Sequence, residues 1–200
     1  MWKEAWLMSG FGESMERLFI AVHLPEEASA NIREWAEKLS GQASFRKWVH
    51  PADYHVTVQF LGDTPAGRIP EIVQALQTAA SAHAPFMLGV SNAGVFGTNA
   101  SPRILWAGLN GDIKALSALH RSVVSSMEAF GYVPESRPYR PHITVARKFE
   151  GKFPFMMDLL GSGPNPIQWK VDELTLFRTR LGHSPMYEKL DVARLHGHSK

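Results

Sequence analysis

The sequence predicts two similar lobes, built from strands and helices, facing each other across a cleft. Two observations carry that prediction. The first is a repeated four-residue word. His55-Val56-Thr57-Val58 and His142-Ile143-Thr144-Val145 both read His-x-Thr-x inside an apolar, β-branched run. The second is the frame around the word. Arg17 opens a strand-like run, a helical pattern follows, and His55 comes 38 positions later (55 − 17). Arg103 opens another such run, a helical pattern follows, and His142 comes 39 positions later (142 − 103). Each half therefore reads strand, helix, His-x-Thr strand in nearly one register.

The elements follow in order. Residues 1–16 show no clear period and are set aside as an N-terminal tail. They lack the basic and apolar regions of a signal peptide, and Met15 is an alternative start. The run Glu16-Arg17-Leu18-Phe19-Ile20-Ala21-Val22 reads as the first strand. Pro25, Glu26 and Glu27 suit a first helical turn, Ile32, Trp35, Ala36 and Leu39 recur at helical spacing, and Gly41 stops the helix. A strand runs from Tyr54 to Leu61, and a second helix from about Arg68 to Ala82. Strands from Pro85 to Phe96 and from Arg103 to Leu109 flank a Gly97–Pro102 loop. A third helix spans roughly Asp112 to Phe130, with Ile113, Leu116, Leu119, Val123 and Met127 on one side. The second motif forms a strand from His142 to Ala146, and two late strands, near Ile167–Arg178 and Met186–Val192, close the fold.

Composition narrows the function. At 200 residues the chain can bury a core without staples. It has no cysteine, hence no disulfide framework, thiolate nucleophile or thiolate metal site, and a cytoplasmic location is expected. No apolar run reaches the roughly 18 residues of a membrane span. The formal net charge of +2 is too small for bulk attraction to a polyanion, so nucleic-acid contact requires a local basic patch. Arg137, Arg140, Arg147 and Lys148 crowd the second motif, and Arg46 and Lys47 precede the first. Singly, each is an ordinary surface charge. Clustered beside both words, they point to an anion site.

The words suit chemistry at phosphorus. Alternate strand residues share a face, so His55, Thr57 and Gln59 point one way and Val56, Val58 and Phe60 the other. His142 and Thr144 likewise oppose Ile143 and Val145. The apolar sets can pack on each lobe and leave the polar sets for the cleft. Imidazole titrates near neutrality, so one His can take a proton from attacking water while another donates one to the leaving oxygen. Threonine hydroxyls can hydrogen-bond the non-bridging oxygens, and Arg147 can add charge-assisted bonds. Strict alternation, however, puts Arg147 opposite His142. It reaches the phosphate only if the strand ends or bulges near Ala146. Trp48, Phe96 and Tyr139 are candidates to stack on a base, with core packing as the alternative. The remaining histidines, His120 and His23 among them, default to surface or structural roles, and no constellation supports a metal site.

With these residues in view, the chain resembles the two-histidine phosphoesterase superfamily, and within it the RNA 2′,3′-cyclic phosphodiesterases, also called 2′-5′ RNA ligases. The resemblance runs from Arg17 to about Val192. It is carried by Arg17–Val22 with Leu24-Pro25, by His55–Gly62, by Arg103–Leu109 and by Arg137–Arg147. It implies an α+β fold of two pseudo-symmetric lobes, each an antiparallel sheet with helices on its outer face, forming a single bilobal domain over residues 17–195. It further implies metal-independent hydrolysis of 2′,3′-cyclic phosphate RNA termini to 2′-phosphomonoesters, with no cofactor, by a monomer. On this chain His55 is then the proton donor, His142 the proton acceptor, and Thr57 and Thr144 hold the phosphate; Arg147, Tyr139 and Trp48 are the substrate-binding candidates the residues themselves suggest. Residue chemistry alone leaves the acid and base roles open. It also leaves open small cyclic nucleotides or ADP-ribose cyclic phosphate as substrates, and a catalytically idle RNA-binding module.

Overall fold

The computed structural model describes residues 14–197. Its strands are β1 (Met15–His23), β2 (Phe45–Trp48), β3 (His55–Pro65), β4 (Phe86–Thr98), β5 (Ser101–Gly111), β6 (Ile143–Phe149), β7 (Ile167–Val171), β8 (Glu173–Thr179) and β9 (Tyr187–Arg194). Three α-helices join them: α1 (Glu26–Ser40), α2 (Ile69–Ser81) and α3 (Ile113–Glu128). The helices follow the expected stripes. In α3, Leu116, Leu119, Val123 and Met127 are all fully buried. In α1, Glu26 and Glu27 occupy the first turn and Lys38 the last, matching the helix dipole at both ends.

All strand pairings are antiparallel, in the order β7-β4-β5-β6-β3-β1-β8-β9, with β2 added on β6. The curled sheet is thin at its centre. There β3 and β6 share one registered pair, Val56 with Ile143. On one side lies a half-sheet of β3, β1, β8 and β9, and on the other β6, β5, β4, β7 and β2. These are the two lobes. Helix α2 packs on β8 and β9 and α3 on β3, while α1 reaches β7 of the other half-sheet.

Two expectations need correction, and one strand was not foreseen. The lobes are interleaved rather than sequential, since β4 joins the second lobe and β8 and β9 return to the first. The run from Ile167 to Arg178 is two strands, β7 pairing with β4 and β8 with β1. Extended patterning continues across Asp172 while the hydrogen-bonding partner changes, and partner choice leaves no mark in the alternation. The short strand β2 carries no alternating signal of its own and exists through its pairing with β6. In addition, β1 starts at Met15, so Met15 and Glu16 belong to the sheet, Glu16 accepting from Arg178 at 3.0 Å. Residues 1–13 of the assigned tail lie outside the described residues.

The main core lies on the helix-covered side and runs through both lobes, with Ile20, Val22, Val56, Val58, Ile143 and Val145 at its centre. A smaller cluster of Phe19, Ala21 and Phe177, with Tyr187 against it, fills the opposite face of the first lobe. Ile143 is fully buried at the junction. Ile143→Ala is expected to cost about 2–5 kcal/mol of stability, read by urea denaturation. A loss below about 1 kcal/mol would show that the junction is not part of the packed core.

Candidate active site

The Val56–Ile143 pair sets the geometry of the site. In an antiparallel pair, the residues flanking it fall opposite each other. His55 therefore lies across from Thr144, and Thr57 across from His142. All four project from the face opposite Val56 and Ile143, both of which are buried in the core.

The strands then diverge around a cavity of about 610 Å³, lined by Thr57, His142, Thr144 and Arg147 among others. The structure thus brings these four together. His55 is not in the cavity lining but meets it through Thr57, with its Nε2 3.0 Å from Thr57 Oγ1.

Each histidine is oriented by a backbone carbonyl two residues earlier. His55 Nδ1–H donates to the Asp53 carbonyl at 2.7 Å, and His142 Nδ1–H to the Arg140 carbonyl at 2.8 Å. A carbonyl can only accept, so the proton of each neutral ring sits on Nδ1 and Nε2 is left to react. Thr57 can then donate its hydroxyl hydrogen to His55 Nε2.

Arg147 joins the cleft through a bulge. Trp106 faces Thr144 and Leu105 faces Ala146, so Val145 is the extra residue. Val145 and Ala146 are both buried, which breaks the alternation and returns Arg147 to the face of Thr144. The first lobe repeats the device. Ala21 faces Thr57 and Ile20 faces Gln59, leaving Val58 as the extra residue. This reverses the expected side of Phe60. Gln59, 5% exposed, pairs with core-facing Ile20 while still touching the cavity, and Phe60, 54% exposed, stands on the cleft side. Both bulges fall at the fourth position of the motif, so Phe60 and Arg147 are equivalent positions carrying different chemistry.

The aromatic candidates divide. Tyr139 lines the cavity, its ring stacked on His120 at 3.8 Å and its hydroxyl donating to the Thr57 carbonyl at 3.0 Å. Phe96 also lines it and meets His142 edge-on at 4.9 Å. Trp48 does not line the cavity. It pairs with Ala146 through β2 and, half-buried, packs edge-on against Phe45 at the edge of the core. Among the charges, Arg137 and Arg140 line the cavity, whereas Arg46 forms a surface pair with Glu150 at 3.9 Å. His120, expected to be structural or superficial, is part of the wall. Its helical spacing in α3 carried no functional signal. Among the described residues, no group of three or more His, Cys, Asp or Glu could hold a metal ion, and no helix is long and apolar enough to cross a membrane.

Burial governs the electrostatics. It pushes the His55 imidazole down to about 4, against the Asp53 carbonyl bond that favours the charged form, and the positive charge of Arg147 adds to the fall. His142 is lowered for the same first reason, with its bond to the Arg140 carbonyl opposing and Arg147 assisting. His23, the cross-strand partner of His55, is also pushed to about 4 by burial, with Lys189 contributing.

The fold is an antiparallel bilobal sheet that presents two His-x-Thr pairs and an arginine at one cleft. The chain belongs to the 2′-5′ RNA ligase superfamily, whose family model matches residues 24–183. It is 38% identical over 180 residues to the RNA 2′,3′-cyclic phosphodiesterase of Geobacillus stearothermophilus, covering 90% of this chain and 57% of that protein. It therefore spans little more than half of that relative's length. With the RNA 2′,3′-cyclic phosphodiesterase of Bacillus subtilis (strain 168) it shares 34% identity over 173 residues, covering 86% and 92% of the two chains. Among solved structures, E. coli LigT complexed with 3′-AMP superposes with a TM-score of 0.74 at 25% identity, covering 91% of this chain and 99% of that one. TT0787 of Thermus thermophilus gives 0.73 at 26% identity, covering 92% and 100%.

The depressed imidazoles predict a pH dependence of stability. Above pH about 6.5, His23 and His55 are neutral in both folded and unfolded chains. Between about 6.5 and 4 only the unfolded chain takes up the protons, so stability falls through that window and this loss ends below it. Urea midpoints should therefore drop across that range, and His23→Gln should flatten the drop. Equal slopes for the variant and the parent would remove His23 from the account.

Proposed function

We propose that this chain hydrolyses 2′,3′-cyclic phosphate ends of RNA to 2′-phosphomonoesters, using its two histidines as acid and base without a metal. One observation carries the reading: the Val56–Ile143 register, which sets two imidazoles and two threonine hydroxyls in one block beside Arg147. The active unit is the single bilobal domain that begins with β1.

In the hydrolytic step, a water oxygen bonds to phosphorus and its proton passes to His142 Nε2. The bond from phosphorus to the 3′ oxygen breaks, and His55 Nε2–H protonates that oxygen. Thr57 and Thr144 hydroxyls donate to the non-bridging oxygens, and the Arg147 guanidinium offsets their charge. The assignment of His55 as donor and His142 as acceptor follows the family resemblance.

The free cleft holds both imidazoles neutral at pH 7, which suits His142 as base and leaves His55 without its proton. An incoming phosphate anion offsets the charge of Arg147 and favours imidazolium, so the acid is charged together with substrate. Protonation also ends the acceptance by Nε2 of the Thr57 hydroxyl across 3.0 Å. The threonine hydrogen is then released for the phosphate, and His55 Nε2–H is available to the 3′ oxygen.

Incubation of RNA ending in a 2′,3′-cyclic phosphate, with chelator present, should yield the 2′-phosphate. His55→Ala and His142→Ala should each lower kcat by about 10²- to 10⁴-fold. No product from the parent chain, or full activity in both variants, rules the reading out. Cyclic mononucleotides run in parallel separate an RNA enzyme from one for small nucleotides. In a second measurement, inorganic phosphate should raise the His55 pKa from about 4, followed by imidazole NMR. A titration indifferent to phosphate removes the anion coupling.

A further inference from the structure

The two histidines, matched in sequence, are held in different ways. His142 has the Arg140 carbonyl behind it and the edge of Phe96 beside it. His55 has more. Its ring lies 4.9 Å from Phe19 and meets Tyr187 edge-on at 5.1 Å, and Tyr187 in turn meets Phe19 at 4.7 Å. Tyr187 opens β9, which is remote in sequence from β3. Tyr187 pairs with Thr179 of β8, and a second contact ties the start of β9 to the turn before β3.

That contact is Asp53, 5% exposed, in the helical turn Pro51–Asp53 that leads into β3. Its Oδ1 accepts from the backbone N–H of Met186 at 3.1 Å and of Tyr187 at 3.0 Å, and its Oδ2 accepts from Met186 N–H at 2.9 Å. The same residue's carbonyl accepts from His55 Nδ1–H at 2.7 Å. No Lys, Arg or His lies within ion-pair distance of the carboxylate among the described residues. A buried carboxylate answered only by backbone N–H groups is costly unless its geometry is good. Here each carboxylate oxygen has a donor.

We propose that Asp53 is a positioning residue for His55. Its carbonyl sets the imidazole tautomer, and its carboxylate anchors the start of β9 so that Tyr187 closes over the ring. One residue thus grips the imidazole from two sides. The carbonyl keeps the proton on Nδ1 and presents Nε2 to Thr57. The carboxylate, through Met186 and Tyr187, restrains ring rotation. Its negative charge also lies two residues from His55 and favours the imidazolium, partly opposing the burial of the ring. His142 has no counterpart, because Arg140 is exposed and contributes only its carbonyl. The grip falls on the histidine proposed above as proton donor. The inference rests on that reading for its catalytic meaning, but its structural readout does not.

The test is Asp53→Asn, which keeps the size but turns an amide NH₂ toward backbone N–H donors. The backbone carbonyl stays, so the Nδ1–H tautomer should persist, while imidazole NMR should show the His55 ring gaining rotational mobility and His142 unchanged as the internal control. With a cyclic phosphate substrate, kcat should fall between about 10- and 100-fold with KM nearly constant, as for a misplaced reacting group. His55 and His142 changing together would mean general loosening and overturns the proposal, as does parental kcat or an unaltered His55 spectrum. Should Asp53→Asn fail to fold, Tyr187→Leu leaves the carboxylate bonds intact and removes the ring. It should release His55 alone and lower kcat, and no change in either overturns the proposal. If the parent chain turns over no cyclic phosphate, the proposed function fails, and the His55-specific NMR change decides the positioning separately.

Discussion

A single antiparallel pair, Val56 with Ile143, joins the two half-sheets, and the cleft depends on it. Each partner is the residue after a motif histidine. Pairing them puts the two histidines and two threonines on one face in a fixed block, and both apolar side chains on the other. A slip of one residue on either strand would turn its pair toward the core. The junction is short because the strands diverge at once, and that divergence opens the cavity. The same contact therefore fixes the reacting groups and leaves room for a substrate.

The two bulges act on this frame. A strand that kept strict alternation would bury Arg147 and hide Phe60. Each lobe instead inserts one valine, Val58 or Val145, and so brings the residue five places after its histidine into the cleft. The device is shared, but the residue delivered is not. One lobe presents an exposed aromatic ring and the other a guanidinium. The cleft is thus symmetric in backbone and asymmetric in charge.

The imidazoles are asymmetric in the same way. Both are lowered first by burial, but His55 lies against Phe19 and Tyr187 and is lowered to about 4. Water exclusion strengthens hydrogen bonds and charge interactions at the reacting phosphate, and it disfavours a charged acid in the free protein. In the proposed reaction a phosphate beside Arg147 would reconcile the two, because its charge would supply what the free cleft lacks.

Much of the site was legible in the chain. Two His-x-Thr words in β-branched runs, spaced alike from two opening strands, specify which residues share a face, because alternation is a local property of an extended backbone. The helix stripes were legible for the same reason, at period 3.6. The need for a bulge before Arg147 could be reached was also readable, since alternation forbids the arginine otherwise. Its twin at Val58 was not, because nothing in the neighbouring residues contradicted a straight strand, and so Phe60 was placed on the core side. Tertiary structure alone decided which strand pairs with which, that the lobes interleave, that Trp48 packs at the edge of the core, and that Asp53 and Tyr187 close on one histidine and not on the other. Those outcomes depend on contacts between residues as far apart as Asp53 and Tyr187, and such contacts leave no period in the sequence to read.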